Sequence, residues 1–254
     1  MTSTGGRLAG RRALVTGGGG GIGRAIAVAC AADGAAVAVL DRDASAAASV
    51  AREIEAAGGR AVAVGADVTD RAALRTAVND VAATFGGIDA LATCAGTTAH
   101  GTTTEIDEDA WERVLAVNLT GTFRTCRYVL PLMIAAGTGA IVTIGSVFAV
   151  KGGSLSCAYN ASKGGVLLLT RNLAVDYAAF GIRVNCIVPG HIATNLTRAA
   201  LADPGTAARV RARTPLGRLG RPDEIGAAAV FLLSHDAGFI TGAHLAVDGG
   251  DLAA

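Results

Sequence analysis

Residues 13–41 read ALVTGGGGGIGRAIAVACAADGAAVAVLD. A short apolar run, Ala13 to Thr16, meets five consecutive glycines, Gly17 to Gly21, and after Ile22 and Gly23 the chain enters an alanine-rich segment of helical composition, Arg24 to Ala32. A second apolar run, Ala36 to Leu40, ends on Asp41. Strand, glycine turn, helix, strand is the order of a βαβ unit. A phosphate is held by backbone N–H groups at a helix N-terminus, and a side chain larger than hydrogen blocks that approach. The run satisfies G-x-G-x-x-G at Gly18, Gly20 and Gly23, and T-G-x-x-x-G-x-G at Thr16, Gly17, Gly21 and Gly23. Five glycines fit several templates at once; the flanking strand and helix are what favour phosphate binding over a merely flexible turn.

Outward from this unit the same alternation continues. Runs rich in Val and Ile recur at Ala61 to Ala66, Ile88 to Thr93, Ala140 to Ile144, Arg183 to Val188 and His244 to Val247, separated by longer segments that read as helices. Strands apolar on both faces belong in a parallel sheet covered by helices. The expected fold class is α/β, a Rossmann-like doubly wound parallel sheet of about seven strands with helices on both faces, its ligands beyond the carboxyl ends of the strands. No linker or repeat divides the 254 residues, so one domain, 1–254, is expected. Val129 to Val150 is uncharged, but Pro131, Gly137, Gly139 and Gly145 punctuate it, which reads as helix end, turn and buried strand rather than a membrane span.

Composition excludes several partner classes. With 22 basic against 21 acidic residues the formal charge is +1, which supplies no field for nucleic acid or an anionic membrane. Five cysteines without a C-x-x-C pair, and scattered His100, His191, His235 and His244, predict neither a disulfide framework nor a metal site. The first residues lack an apolar export segment, so a cytoplasmic location is expected and the Asn-x-Ser/Thr triplets at Asn118, Asn160 and Asn195 are expected to stay unmodified.

Chemistry enters at four further places. Asp41, eighteen residues after Gly23, either accepts hydrogen bonds from ribose hydroxyls and repels a 2′-phosphate, favouring NAD(H), or is a solvated strand end. The adjacent Arg42 could bind such a phosphate, so NADP(H) stays open. Tyr159 and Lys163 lie four apart in a predicted helix, Ser156 to Tyr177, which sets them on one face. A phenol of ordinary pKa about 10 must shift by roughly 3 units to act as a base near neutrality, and a neighbouring cation favours the phenolate. Of the 22 basic side chains only Lys151 and Lys163 are lysines. Ser146, at the end of the uncharged run Ala140 to Gly145, supplies a hydroxyl where an open sheet keeps its site, and no histidine lies near it in sequence to make a hydrolase.

Together these motifs resemble the short-chain dehydrogenase/reductase family, from Ala13 to Gly250. The Thr16–Gly23 turn is similar to the family's coenzyme turn, including Gly17, Gly21, Ile22 and Gly23; Tyr159-x-x-x-Lys163 resembles its active-site pair; and Ser146, thirteen residues before the tyrosine, resembles its serine. The resemblance further implies Asp67 and Val68 at the adenine, Asn118 as support for a water in a proton relay, Pro189, Gly190, Ile192 and Thr194 beside the nicotinamide carboxamide, and a C-terminal stretch from Gly217-Arg218 to Asp248-Gly249-Gly250. Where the family has Asn-Asn-Ala-Gly, this chain has Thr93-Cys94-Ala95-Gly96. Ala95 and Gly96 keep the small pair beside the adenosine, whereas bonds made by the missing amides must be replaced or lost. Cys94 is read as an inert buried thiol rather than a redox sensor.

The implied reaction is hydride transfer between a nicotinamide and a secondary alcohol or ketone, with Tyr159 as general acid/base, Lys163 holding the ribose and the phenol, and Ser146 orienting the substrate oxygen. A 3-oxoacyl thioester, a sugar, a steroid or another alcohol all remain open. Residues 191–213 resemble the family's substrate lid; Leu196, Leu201 and Arg198 there suit an apolar or modestly anionic substrate, Arg209, Arg211 and Arg213 equally form a solvated helix face, and His191 is close enough to Pro189-Gly190 to line a pocket. The resemblance also implies a tetramer through Glu108–Met133 and Ser156–Tyr177. Two rivals are a catalytically silent NAD(H)-binding sensor or scaffold, and a different Rossmann-like enzyme such as a methyltransferase.

Overall fold

The computed structural model describes residues 6–194, 197 and 203–254. Seven strands, β1 (Arg12–Thr16), β2 (Ala36–Asp41), β3 (Arg60–Gly65), β4 (Ala90–Thr93), β5 (Gly139–Ile144), β6 (Ile182–Pro189) and β7 (His244–Val247), form one sheet in the order β3-β2-β1-β4-β5-β6-β7. All neighbours are parallel. The order reverses between β1 and β4, which opens a crevice above their carboxyl ends.

Alternation along the strands builds two cores. Val15, Val37, Val39 and Val142 point to one face, beneath α1 (Gly21–Ala32), α2 (Ala44–Ala56) and the helix Pro222–Leu233. Leu14, Leu40, Leu91 and Ile141 point to the other, beneath α3 (Arg71–Phe85), α5 (Gly121–Ala136) and α6 (Cys157–Tyr177). Helix α4 (Glu108–Leu115) precedes α5, while α7 (Pro204–Arg213) and α8 (Pro222–Leu233) follow β6.

Caps set the helix starts. Asp43 accepts from the N–H groups of Ser45 and Ala46, and Asp70 from those of Ala72 and Ala73, so α2 and α3 begin with their first donors satisfied. Helix α1 has no such cap: its N-cap is Gly20, without a side chain. Its first N–H groups are therefore left facing the crevice.

Several boundaries differ from the sequence expectation. Helix α1 starts at Gly21, because the glycines' poor propensity hides its first turn. Strand β4 starts at Ala90; the preceding Asp89 is a buried carboxylate that accepts from the backbone N–H of Arg12 at 3.0 Å and from its Nε at 2.7 Å. The segment from Glu108 to Met133 is helical throughout and widens into a π-helical turn at Ala116–Thr120. Val129 to Val150 runs as the end of α5, a turn at the left-handed Gly137, the fully buried β5 and a 3₁₀ turn, Val147–Ala149. No described helix is long and apolar enough to cross a membrane.

Candidate active site

A cleft of about 350 Å³ lies at the reversal point, lined by the glycine turn, the ends of β2, β4 and β5, and one face of α6. Backbone geometry dictates three glycines of the turn. Gly17 and Gly21 have φ of +63° and +52°, a region L side chains rarely adopt. A Cβ on Gly17 would fall 2.7 Å from the nitrogen of Ala95, and one on Gly23 would fall 2.1 Å from the carbonyl oxygen of Gly17. Around Gly20, by contrast, nothing lies within 4 Å of a Cβ. Exposed N–H groups over an uncapped helix start make a cradle that suits a diphosphate.

At the end of β2 the Asp41 carboxylate is pinned from both sides: Gly19 N–H donates to Oδ2 and Asp43 N–H to Oδ1, each at 3.0 Å. It lines the cleft together with Arg42, Asp67 and Val68. Asp67 turns one oxygen inward, Oδ1 accepting from Thr69 N–H at 2.8 Å and from its hydroxyl at 2.7 Å.

Cys94, Ala95 and Gly96 form the floor. The hydroxyl of Thr16 ties this floor to β1, accepting from Cys94 N–H at 3.2 Å and Ala95 N–H at 3.3 Å. Thr93 Oγ1 is buried with no hydrogen-bond partner among the described residues, so the side chain at that position does not take over an amide's bonds. Burial pushes the Cys94 thiol up to about 12, which keeps it a weak nucleophile at neutral pH.

Above the floor stand the remaining polar groups. Tyr159 and Lys163 share one face of α6, the lysine Nζ 5.7 Å from the tyrosine ring centroid. Lys163 is buried, and its ammonium donates to the carbonyl of Ile144, the last residue of β5, at 2.8 Å. Two residues on, Ser146 caps the 3₁₀ turn by accepting from Phe148 N–H at 3.2 Å. Asn118 sits in the π-helical turn, wholly buried, and its amide is fully engaged: Oδ1 accepts from Thr97 N–H at 2.8 Å, while Nδ2 donates to Thr97 O at 2.9 Å and to Ser162 Oγ at 3.0 Å. The side chain thus ties the π-turn to α6 and to the loop after β4, and the backbone carbonyl accepts from Thr122 Oγ1 at 2.8 Å.

Burial acts on both members of the tyrosine and lysine pair. It pushes the Tyr159 phenol up, opposed by a hydrogen bond from Ser146, and it lowers the Lys163 ammonium to about 8. The lysine makes a testable contribution to stability. Its folded pKa lies below its unfolded value of 10.5, so the unfolded chain binds the extra proton between those values and stability rises with pH across that window. Cys30, Cys94 and Cys126, each pushed up to about 12, act with the opposite sign above pH 9. Cys30 and Cys126 cancel in a difference between variants, and Cys94, which the Lys163 charge holds down, cancels only in part. Denaturant unfolding of wild type minus Lys163→Met is expected to gain about 3 kcal/mol from pH 8 to 10.5; a flat difference would show that the ammonium bears no burial cost.

Not every expected residue reaches the cleft. Asn118, Pro189, Gly190 and Ile192 do not line it, Ser146 reaches it through its hydrogen bond to Tyr159, and Thr194 lines it opposite Gly21. Gly190 is explained by packing, since a Cβ there would fall 2.8 Å from Asp248 Cα. Ile192 is buried and bridges to Gly220. Residues that line the cleft without a sequence signal are Leu40, Ala66, Thr97, Val117 and Ile144. Leu196, Arg198 and Leu201 of the expected lid, and the triplet at Asn195, lie outside the described residues; Arg209, Arg211 and Arg213 of α7 are exposed. Among the described residues no three His, Cys, Asp or Glu side chains gather as metal ligands.

A family profile described as Enoyl-(Acyl carrier protein) reductase matches residues 18–251. The 2-(S)-hydroxypropyl-CoM dehydrogenase 3 of Xanthobacter autotrophicus (strain ATCC BAA-1158 / Py2) is 40% identical over 240 residues, covering 93% of this chain and 94% of that one. This chain is a short-chain dehydrogenase/reductase. Within the family it is also similar to the cis-4-hydroxycyclohexanecarboxylate dehydrogenase of Sinomonas cyclohexanicum, 44% identical over 241 residues and covering 94% and 96% of the two chains. A solved gluconate 5-dehydrogenase from Burkholderia cenocepacia J2315, in complex with NADP and tartrate, superposes with a TM-score of 0.94 at 38% identity, covering 98% of each chain. This short-chain dehydrogenase/reductase is accordingly an oxidoreductase of CH–OH groups, and the methyltransferase alternative falls away.

Proposed function

We propose that the chain interconverts a secondary alcohol and its ketone with NAD(H) as coenzyme and Tyr159 as general acid/base. What supports this reading above all is the convergence of Tyr159, Lys163 and the β5 exit carrying Ser146 on a cleft whose opposite end is an uncapped glycine turn. The dinucleotide, when bound, supplies the hydride acceptor or donor and, in its oxidised form, a positive charge. Gly17, Gly21, Ile22 and Gly23 hold its diphosphate, Asp41 its adenosine ribose, Asp67, Val68, Ala95 and Gly96 the adenine side, and Lys163 the nicotinamide ribose. Ser146 donates to the substrate oxygen, Tyr159 takes or returns the proton there, and the Asn118 carbonyl holds a water that restores it. Burial raises the phenol and the hydrogen bond from Ser146 lowers it; under this reading the remaining lowering falls to the positive charge of Lys163 and of the oxidised coenzyme.

The substrate is a small hydroxylated molecule, since the relatives are named for hydroxyalkyl, hydroxycycloalkyl and gluconate substrates. We further propose a homo-oligomer packed through α4–α5 and α6, which leave Phe123, Leu168 and Val175 at 44%, 63% and 79% exposure.

Coenzyme choice rests on Asp41. In Asp41→Ala, kcat/KM with NADP is expected to rise, and that with NAD to fall, each by about 10-fold, because a pinned carboxylate repels a 2′-phosphate and accepts from ribose hydroxyls; an unchanged ratio would remove Asp41 from coenzyme choice. The reading as a whole is tested by absorbance of reduced nicotinamide over secondary alcohols, sugars, hydroxysteroids and 3-hydroxyacyl thioesters with each coenzyme. Turnover of one class supports it. NADH binding by fluorescence with no turnover of any would instead favour the silent sensor.

A further inference from the structure

A groove of about 600 Å³ lies between α3 and α5, lined by Arg71 and Arg75 from the first helix and by Arg124 and Arg127 from the second. No Asp or Glu lines it. Asp70, the acidic residue next to Arg71 in the chain, is spent on the N-cap of α3. Arg71, Arg75 and Arg127 are exposed and have no hydrogen-bond or ion-pair partner among the described residues. Other surface arginines are paired, Arg7 with Asp33, Arg24 with Glu53 and Arg218 with Glu224, as on an ordinary solvated face of mixed sign.

Position makes this cluster costly to the fold. Arg71 and Arg75 stand one turn apart on α3, and Arg124 and Arg127 three residues apart on α5, so like charges repel along both helices. Arg71 also opens α3, at the positive end of its dipole, where a cation is disfavoured. An anion in the groove relieves all three penalties. The planar guanidinium fork matches phosphate oxygens. Each phosphate group brings about 1.5 to 2 negative charges near neutrality, so two linked phosphates come close to balancing the four arginines in one groove, whereas a carboxylate brings a single charge.

One short segment joins the groove to the coenzyme cleft. Arg124 Nη1 donates to the carbonyl of Thr69 at 2.6 Å, and Thr69 in turn holds Asp67 Oδ1 through its N–H and its hydroxyl. Asp67 and Val68 line the cleft. Val68 also packs on the first residue of α5, where a Cβ on Gly121 would fall 2.6 Å from Val68 Cγ2. We propose that the α3–α5 groove is a regulatory site for an oligophosphate, inorganic or carried by a nucleotide, and that its occupation weakens dinucleotide binding. The site stands on the groove alone, and its effect rests on the coenzyme reading given above. The bound anion competes with the Thr69 carbonyl for Arg124, so the segment carrying Asp67 and Val68 loses its tie to α5. Such coupling is reciprocal, each ligand weakening the other by the same factor. Of the apolar residues assigned above to an oligomer face only Phe123 lines the groove; Leu168 and Val175 belong to α6.

Pyrophosphate titrated into the full chain by calorimetry, against sodium chloride of equal ionic strength, is expected to bind both without and with saturating NADH. By fluorescence the NADH Kd should climb to a plateau about 5-fold above its starting value. The double variant Arg75→Gln/Arg127→Gln leaves Arg124 and the cleft untouched; it should bind pyrophosphate at least about 10-fold more weakly and keep its NADH affinity. Arg124→Met, which breaks the Thr69 bond outright, should weaken NADH by about 5-fold with no pyrophosphate present. An NADH Kd that climbs in proportion to pyrophosphate without a plateau places the anion on the glycine turn and overturns the groove site, as does undiminished binding in the double variant. No binding to wild type overturns it too, and a smaller sedimentation coefficient of the double variant would then show a second copy seated on the arginines. Unchanged NADH affinity in Arg124→Met overturns the coupling. ADP run beside pyrophosphate, with NADH filling the cleft, separates the sources: tighter binding identifies a nucleotide and weaker binding an inorganic oligophosphate. If wild type binds pyrophosphate, the double variant does not, and neither binds NADH, the coenzyme reading falls and the groove site stands.

Discussion

Tyr159→Phe is expected to lose turnover by at least about 10²- to 10⁴-fold, the usual weight of a general acid/base, while binding NADH within about 2-fold of wild type. The substitution removes a single oxygen. The ring stays beneath Lys163 Nζ, and the ammonium keeps its bond to the Ile144 carbonyl, because that contact runs through the lysine and not the phenol. Steady-state rates and fluorescence titration of NADH on the same preparation check both halves. A variant as active as wild type would remove the tyrosine from the chemistry, and one that no longer bound NADH would recast it as a coenzyme ligand. The loss should appear in kcat and in kcat/KM alike, since the proton is moved only in the transition state.

The second large effect is expected at the glycine turn. In Gly23→Ala the new methyl would sit 2.1 Å from the Gly17 carbonyl oxygen and 3.2 Å from Gly18 Cα, all backbone atoms with no side chain to swing aside. The turn must open. Overpacking of this kind costs about 1–3 kcal/mol of stability, and the displaced N–H groups should weaken NADH binding by at least about 10-fold, the equivalent of one lost charge-assisted hydrogen bond. Gly20→Ala, three residues earlier, is the control. Nothing lies within 4 Å of its Cβ, so its unfolding free energy should stay within about 0.5 kcal/mol of wild type. Equal denaturation midpoints for the two variants would contradict the contact geometry.

This contrast marks how far the sequence could be read. Glycine, strand and helix in succession announced a phosphate turn, and alternating apolar runs announced the sheet, because period and punctuation are local properties. Which glycines between 17 and 23 the turn requires is decided by atoms in the loop after β4 and within the turn itself, and the two sequence templates disagree on Gly20, which the contacts leave open. Tyr159 and Lys163 were legible as a pair through helical spacing, while the lysine's anchor, the Ile144 carbonyl, belongs to another element and leaves no signature of its own. Thr97 and Val117 line the cleft as ordinary loop and helix residues, placed there by the π-helical turn at Ala116–Thr120 and the amide of Asn118. Pro189 and Gly190 carried a recognisable motif, whereas the close packing of the glycine against Asp248 left no sign in the sequence.

The two backbone donors that grip Asp41 have a thermodynamic consequence. Because Gly19 and Asp43 fix both carboxylate oxygens within the folded chain, the side chain's torsional freedom is surrendered once, during folding. Each docking event is then spared roughly 0.5–1.5 kcal/mol of ordering entropy. Under the coenzyme role proposed for Asp41, a dinucleotide arriving at β2 meets an acceptor that is already stationary.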